Sequence, residues 1–207
     1  MTAMAFLRLP LPEDYVEPLI GPRVMLRPPV MSDYAAWAEL RASSRAHLVP
    51  WEPTWTRDEL TRSSFRRRLR VYGQDARDDV AYAFFIAQNS TDALLGGLTL
   101  SNIRRGAAQI GTLGYWIGAA FAGRGYMQDA VRLVIPYAFG ILRLHRIEAA
   151  SMPDNIASRR VLDKCGFERE GHARNYLKIN GAWEDHVIYG LTEESALSTG
   201  MLDGNRP

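Results

Sequence analysis

The chain has 207 residues, enough for one domain with a sizeable core. With 47% hydrophobic and 23% charged residues, it is not a disordered or fibrous sequence. A net charge of +2 is too balanced to predict direct nucleic-acid binding or a membrane as partner. Cys165 is the single cysteine and can close no internal disulfide. The N-terminus "MTAMAFLRLPLPEDYVEP" lacks a basic stretch followed by an apolar core. No apolar run approaches the ~20 residues that span a bilayer. A reducing, cytoplasmic setting is the expectation.

In chain order, "RVMLRPPV" (23–30) alternates as a strand and is stopped by Pro28 and Pro29. Ser32 or Asp33 is placed to cap a helix over "DYAAWAELRASS". A second helix is predicted over about 57–72, from the helical spacing of Phe65, Leu69 and Tyr72. Arg62, Arg66 and Arg70 form a separate stripe on it, read as a solvated face or as a guide for an acidic acceptor. Strands follow at 80–88, 94–103 and 108–118. "RGYMQDAVRLVIPYAFG" reads as one helix kinked at Pro136, because Val131, Ile135 and Ala138 or Phe139 keep helical spacing across the proline. "HRIEAASM" is a short strand. "DNIASRRVLDKCG" is a helix capped by Asp154 or Asn155 and stopped at Gly166. The last two strands flank Asn180-Gly181, a type I′ hairpin signal. That turn predicts Lys178 opposite Trp183 and Tyr176 opposite Asp185 on one face, with Asn175, Leu177, Glu184 and His186 on the other. "STGMLDGNRP" is expected to be a frayed tail. This order implies a mixed α/β (α+β) sheet, antiparallel at first, with a parallel crossing around the central helix.

The stretch "GYWIGAAFAGRGYMQDAV" passes from strand to helix through Gly118, Gly123 and Gly125. A helix N-terminus offers free N–H groups, and glycines let a phosphate approach them, while Arg124 can pair with its oxygens. A tight strand–helix turn would explain the same glycines. Gly125 is not followed by Lys and Ser or Thr, and residue 128 is Gln, so neither the P-loop nor the dinucleotide fingerprint is present.

"AGRGYM", followed by "HRIEA" and "NIASRRVLDKCGFEREG", resembles the GNAT superfamily of acetyl-CoA-dependent N-acetyltransferases. Within it, "HLVPWEP" and "YLKINGAWEDHVIYGL" are similar to the Rim-type ribosomal-protein-alanine N-acetyltransferases, nearest the RimJ branch. The resemblance implies a GNAT fold of about seven strands and four helices with splayed central parallel strands. It also implies an N-terminal extension over 1–21, an N-acetyltransferase domain over 22–192 and a C-terminal tail over 193–207. Acetyl-CoA would lie between strands 110–117 and 146–152. Its pantetheine would pair with Trp116, Ile117 and Gly118, and its pyrophosphate would sit on the amides of Gly123, Arg124, Gly125, Tyr126 and Met127. Asn155 would bond the pantetheine, and Ser158 would serve the departing thiolate; solubility of a first helical turn would also explain Ser158.

The carboxylates that relatives use as base align with Thr112, Ala150 and Leu177, none of them acidic. Glu52, Glu148, Glu170 and Asp185 remain, and Glu52, on the acceptor lip, is the chosen amine binder and base. A loop carboxylate held by Trp51 is the other reading. Tyr176 with Asp185 is a second candidate for acceptor positioning, alongside a merely structural cross-strand pair. His47, His145, His172 and His186 have no ligand spacing, so no metal is expected. Cys165 is placed for packing. The acceptor is expected to be a protein N-terminal α-amine; a polyamine, antibiotic or amino acid, or a non-catalytic acyl-CoA sensor, are the alternatives. A homodimer stays open.

Overall fold

Eight strands form one sheet in the order β1-β2-β3-β4-β5-β6-β8-β7. The computed structural model describes residues 17–202; the N-terminal sequence features before Glu17 and the last five tail residues lie outside them. The strands are β1 (Leu19–Ile20), β2 (Val24–Arg27), β3 (Tyr82–Gln88), β4 (Leu94–Arg104), β5 (Ile110–Ile117), β6 (Arg146–Ser151), β7 (Glu168–Ile179) and β8 (Ala182–Thr192). The helices are α1 (Tyr34–Ser43), α2 (Arg45–Leu48), α3 (Arg62–Arg77), α4 (Tyr126–Pro136), α5 (Ile156–Lys164) and α6 (Glu193–Ser198). The fold is the mixed α/β arrangement expected. The two-residue β1 and the short α2 and α6 extend the expected set, being too brief to carry a periodic signal.

Both faces of the sheet are covered. Phe84 and Ile86 of β3 join one core with Ala130, Val131, Val134 and Ile135 of α4 and Leu162 of α5. Phe85, between them, joins a second core with Trp37 of α1 and Phe65 of α3. Alternation along a strand sends neighbours to opposite faces, which is why "FFIA" reads as an unbroken apolar run. Phe65 and Phe84 are essentially fully buried, and each side chain of this size stabilises the fold by about 1.5–3 kcal/mol.

Several boundaries move for identifiable reasons. Helix α3 starts five residues later than predicted, because Thr61 Oγ1 accepts the Ser64 N–H at 3.2 Å and fixes the N-cap there. It continues to Arg77, beyond which Asp79 has φ +55°. Pro136 keeps helical dihedrals (φ −60°, ψ −36°), and the chain continues as a π-turn over Tyr137–Ile141. Leu142 N–H reaches back five residues to the Tyr137 carbonyl at 2.9 Å. Val131, Ile135, Ala138 and Phe139 all stay buried. The helix is therefore bent and continuous, and packing outweighs the donor lost at the proline. Residues 193–202, read from sequence as tail, carry α6 with Ala196 buried, and Met201 and Leu202 pack on the main core.

The final hairpin has the predicted turn, with Asn180 at φ +44° and Gly181 at φ +92°, and Lys178 opposite Trp183. The predicted Tyr176–Asp185 pair is wrong. The register shifts between Ala173 and Leu177, because Asn175 adopts φ +49° and a bulge forms opposite Asp185. Asp185 accepts the Asn175 N–H at 2.9 Å and lies 2.9 Å from His172 Nε2. Tyr176 turns instead to His186, with ring centroids 5.7 Å apart.

Candidate active site

Strands β5 and β6 are parallel but pair over only three positions, Ile110 with Arg146, Gly111 with Ile147 and Thr112 with Glu148. Beyond Thr112 they diverge. Gly118 N–H donates to the Leu95 carbonyl at 2.8 Å. In an antiparallel ladder the bonded residues alternate, so Trp116 and Gly114 also turn their backbone groups toward β4. Tyr115 and Ile117 then turn theirs into the gap. Of the three residues expected to meet the pantetheine, Trp116 and Gly118 thus turn toward β4 and Ile117 toward the gap. The Gly118 carbonyl is taken by the Phe121 N–H at 2.9 Å.

At the mouth of the gap lies the N-terminus of α4. Its N-cap, Gly125, has φ +82° and no side chain caps the terminus. Gly123 has φ +73°, and nothing stands within 4 Å of where its Cβ would be. Left-handed glycines and uncapped amides are what a phosphate needs. Arg124 is exposed beside them, Tyr126 is half-buried, and the Met127 side chain is buried in the core, so only its backbone faces the mouth. Arg23, not singled out from sequence, adds a second guanidinium. Its Nε donates to Asp129 at 2.6 Å, another nitrogen donates to the Arg124 carbonyl at 3.2 Å, and it lies 5.1 Å from the Tyr126 ring centroid. The cradle fits a pyrophosphate.

On the other side of the gap, Asn155 caps α5, its Oδ1 accepting the Ser158 N–H at 3.1 Å. That leaves its amide –NH₂ to donate. Ser158 Oγ is 3.0 Å from the Tyr115 hydroxyl, which also donates to the Ser158 carbonyl at 3.2 Å. Burial pushes the Tyr115 phenol well above its ordinary pKa, so it stays a neutral O–H. The Tyr115 hydroxyl has one hydrogen: on the Ser158 carbonyl it leaves the serine to donate to the Tyr115 oxygen, and turned to Ser158 Oγ it frees the serine's own hydrogen for a leaving sulfur. Tyr115 and Ser158 are 43 residues apart, and no local pattern joins them.

On the α1/α3 face stands the lip. Glu52 is not held by Trp51 and is not free. Its two oxygens accept from Arg41 at 3.2 and 2.6 Å, and the second also accepts from Trp55 Nε1 at 2.7 Å. Arg41 is only 6% exposed. Its guanidinium lies 4.5 Å from the Trp55 ring centroid and 4.9 Å from that of Trp116, and its Nε has no partner. The Glu52 carbonyl accepts the Asn180 N–H at 2.9 Å, tying the lip to the hairpin tip. Behind it, the buried Ser44 hydroxyl accepts the Ala119 N–H at 2.9 Å. Glu52 is thus tied into the lip by Arg41 and Trp55. Of the other carboxylates, Glu148 and Glu170 pair with Arg146. Tyr176, Leu177 and Trp183 are exposed at the hairpin. Arg62, Arg66 and Arg70 are exposed on α3, with Arg62 over the Tyr34 ring.

Cys165 is fully buried, and burial pushes its thiol up to about 11. It is a packing residue, not a nucleophile. Among the described residues no three His, Cys, Asp or Glu side chains converge as a metal site, and no helix is long and apolar enough to cross a membrane.

A parallel pair that opens over an uncapped, glycine-led helix N-terminus defines an acyl-CoA-dependent acyltransferase fold. The family model of the GNAT acetyltransferase domain matches residues 23–168, and the chain belongs to that family: it is an acetyl-CoA-dependent N-acetyltransferase. It is 40% identical to the probable N-acetyltransferase YjcK of Bacillus subtilis over 84% of this chain and 96% of that one. It is 34% identical to the [ribosomal protein uS5]-alanine N-acetyltransferase of Escherichia coli over 79% and 85% of the two chains. The structure of Mycobacterium smegmatis RimJ in complex with CoA-disulfide superposes with a TM-score of 0.80 at 31% identity, covering 90% of this chain and 98% of that one.

Proposed function

We propose that the protein transfers acetyl from acetyl-CoA to the N-terminal α-amine of a protein, with a ribosomal protein beginning in alanine as the acceptor. The observation that carries this is the lip. Glu52 and Asn180 join lip to hairpin, and Tyr176 and Leu177 stand exposed on the hairpin. An extended peptide end has backbone amides and apolar side chains to place there; a polyamine has methylenes but no backbone amides. The similarity to the uS5-alanine enzyme supports the same acceptor.

The chemistry is direct transfer. The pyrophosphate rests on the amides of 123–127 with Arg124 and Arg23, and the pantetheine pairs with the backbone of Tyr115 and Ile117 and takes a hydrogen bond from Asn155. The amine attacks the thioester carbon, and a backbone N–H of the gap, at Ile117, holds the oxyanion. The C–S bond breaks, and the Ser158 hydroxyl, backed by Tyr115, meets the thiolate. A terminal α-amine has a pKa near 8, so about a tenth is neutral at pH 7, and the task of a base is to take the proton left on nitrogen after attack.

The test is thiol release from acetyl-CoA by purified protein against peptides with N-terminal Ala or Ser, polyamines, aminoglycosides and free amino acids. An Ala-terminal peptide is expected to have the highest kcat/KM. A polyamine or aminoglycoside outpacing every peptide would refute the acceptor assignment.

A further inference from the structure

Acceptor deprotonation needs a group on the acceptor face, and Glu52 is committed to Arg41 and Trp55. His186 is placed to do it. Val187, Tyr189 and Leu191 of β8 belong to the core shared with α4 and α5. By alternation His186 therefore faces the opposite side, that of α1, α3 and the lip. The register also fixes its height. Ser151, the last residue of β6, pairs with Val187, so His186 stands one step beyond the end of β6, where the gap is open. Since β5 and β6 pair only as far as Thr112 with Glu148, this part of β8 borders the open gap and not a paired strand.

The ring's tautomer follows from its contacts. His186 is 3% exposed, and its Nδ1 lies 3.0 Å from the Glu184 carbonyl oxygen. A carbonyl can only accept, so Nδ1 carries the hydrogen and the lone pair of the neutral ring sits on Nε2. Tyr176, from β7, packs edge-on against the ring at an interplanar angle of 67° and holds its orientation. A histidine whose Nδ1 is fixed to a carbonyl presents Nε2 as its proton acceptor, which is the arrangement of a general base.

We propose that His186 Nε2 is the general base of the transfer, taking the proton of the acceptor amine directly or through one water. As the C–N bond forms, the amine's surplus proton passes to Nε2. As the C–S bond breaks, its electron pair leaves on sulfur, and the thiolate accepts a hydrogen bond from the Ser158 hydroxyl until it departs and takes a proton from solvent. The imidazolium then returns its proton to solvent. Tyr176 is a positioning residue in this scheme. The inference rests on the N-acetyltransferase chemistry and not on the identity of the acceptor.

The experiment uses the full chain with whichever amine gives wild-type turnover, so failure of the alanine-peptide assignment is read from the wild type alone. In His186→Asn the amide nitrogen can keep the bond to the Glu184 carbonyl, while Nε2 is lost. The kcat of His186→Asn is expected to fall about a hundredfold, with acetyl-CoA affinity by calorimetry unchanged. Added imidazole is expected to restore a substantial part of that kcat. Glu39→Gln, a change of an exposed carboxylate on α1, is expected to leave kcat near wild type. Turnover of His186→Asn within about twofold of wild type, with chemistry rate-limiting, would overturn the proposal. So would a loss that imidazole does not touch, or a larger loss in Glu39→Gln. Failure of both His186→Asn and His186→Gln to bind acetyl-CoA would make the residue structural and overturn it as well.

Discussion

Removing the Glu52 carboxylate separates an anchor from a base. Arg41 has 7% of its side-chain area exposed and Glu52 has 19%. The Arg41 Nε is already without a partner, so in Glu52→Ala the guanidinium keeps only its contacts with Trp37, Trp55 and Trp116. Stripping one partner from a buried ion pair costs about 3–5 kcal/mol. Water reaches the Glu52 side of this pair, so the expected loss is about 2–3 kcal/mol. For a domain of this size each kcal/mol lowers Tm by about 2–4 °C, giving a drop of roughly 4–12 °C. Arg41→Met/Glu52→Ala removes the stranded charge and is expected to melt above the single variant. Glu52→Gln, which keeps an oxygen for Arg41 or Trp55, is expected to melt between wild type and Glu52→Ala and to retain most of kcat below its Tm. Thermal unfolding followed by circular dichroism, with thiol release measured below the transition, reads both quantities. A Glu52→Ala midpoint within about 1 °C of wild type, or no recovery in the double variant, would refute the anchoring role. A hundredfold fall in the kcat of Glu52→Gln with unchanged Tm would return Glu52 to the part of base.

Three further outcomes follow from the geometry. Gly123→Val forces a β-branched residue to φ +73° and fills the space over the α4 amides; calorimetry is expected to show acetyl-CoA affinity reduced by about tenfold or more, and equal affinity would remove the pyrophosphate from this loop. Ser158→Ala is expected to lower kcat about tenfold, or about 1.4 kcal/mol, at unchanged acetyl-CoA affinity; an unchanged single-turnover rate would leave the serine only its place in α5. The buried Cys165 thiol, pushed up to about 11 from an ordinary 9, favours the neutral form in the folded state. Its contribution to stability is complete below pH 9 and is lost as pH rises to about 11. At pH 8 the native thiol is expected to react with a thiol reagent far more slowly than the unfolded chain, and equal rates would place Cys165 at the surface.

What the sequence made legible was local. The glycine approach to α4, the Asn155 cap and the Asn180-Gly181 turn each depend on a few consecutive residues with one dominant physical cause. The continuous path through Pro136 could be read because apolar spacing persisted on both sides of it. The misplaced Tyr176 shows the limit: one residue, Asn175, takes a left-handed conformation and shifts every later pairing toward Ala173. Asparagine tolerates that conformation, but its identity does not announce it. The site's working contacts were hidden by distance along the chain. Tyr115 meets Ser158 only because β5 and α5 are neighbours in space. Arg41 meets Glu52 only after α1, α2 and the turn at Val49–Trp51 fold the lip back. His186 carried no spacing signal, since its value lies in a tautomer and in the sheet face it occupies.

The divergence of β5 and β6 leaves the sheet with a seam. Five strands on one side and three on the other are stitched by three residue pairs, with α4 crossing beneath and the Glu52–Asn180 bond clasping the far end. A bound pantetheine occupies the place of missing thread, bonding to backbone that no strand reaches. The enzyme's cohesion is thereby coupled to its co-substrate: ligand at a hundred times its Kd adds about 2.7 kcal/mol to the folded state. Thermal unfolding with and without acetyl-CoA reads that coupling directly, as a midpoint that rises with ligand concentration.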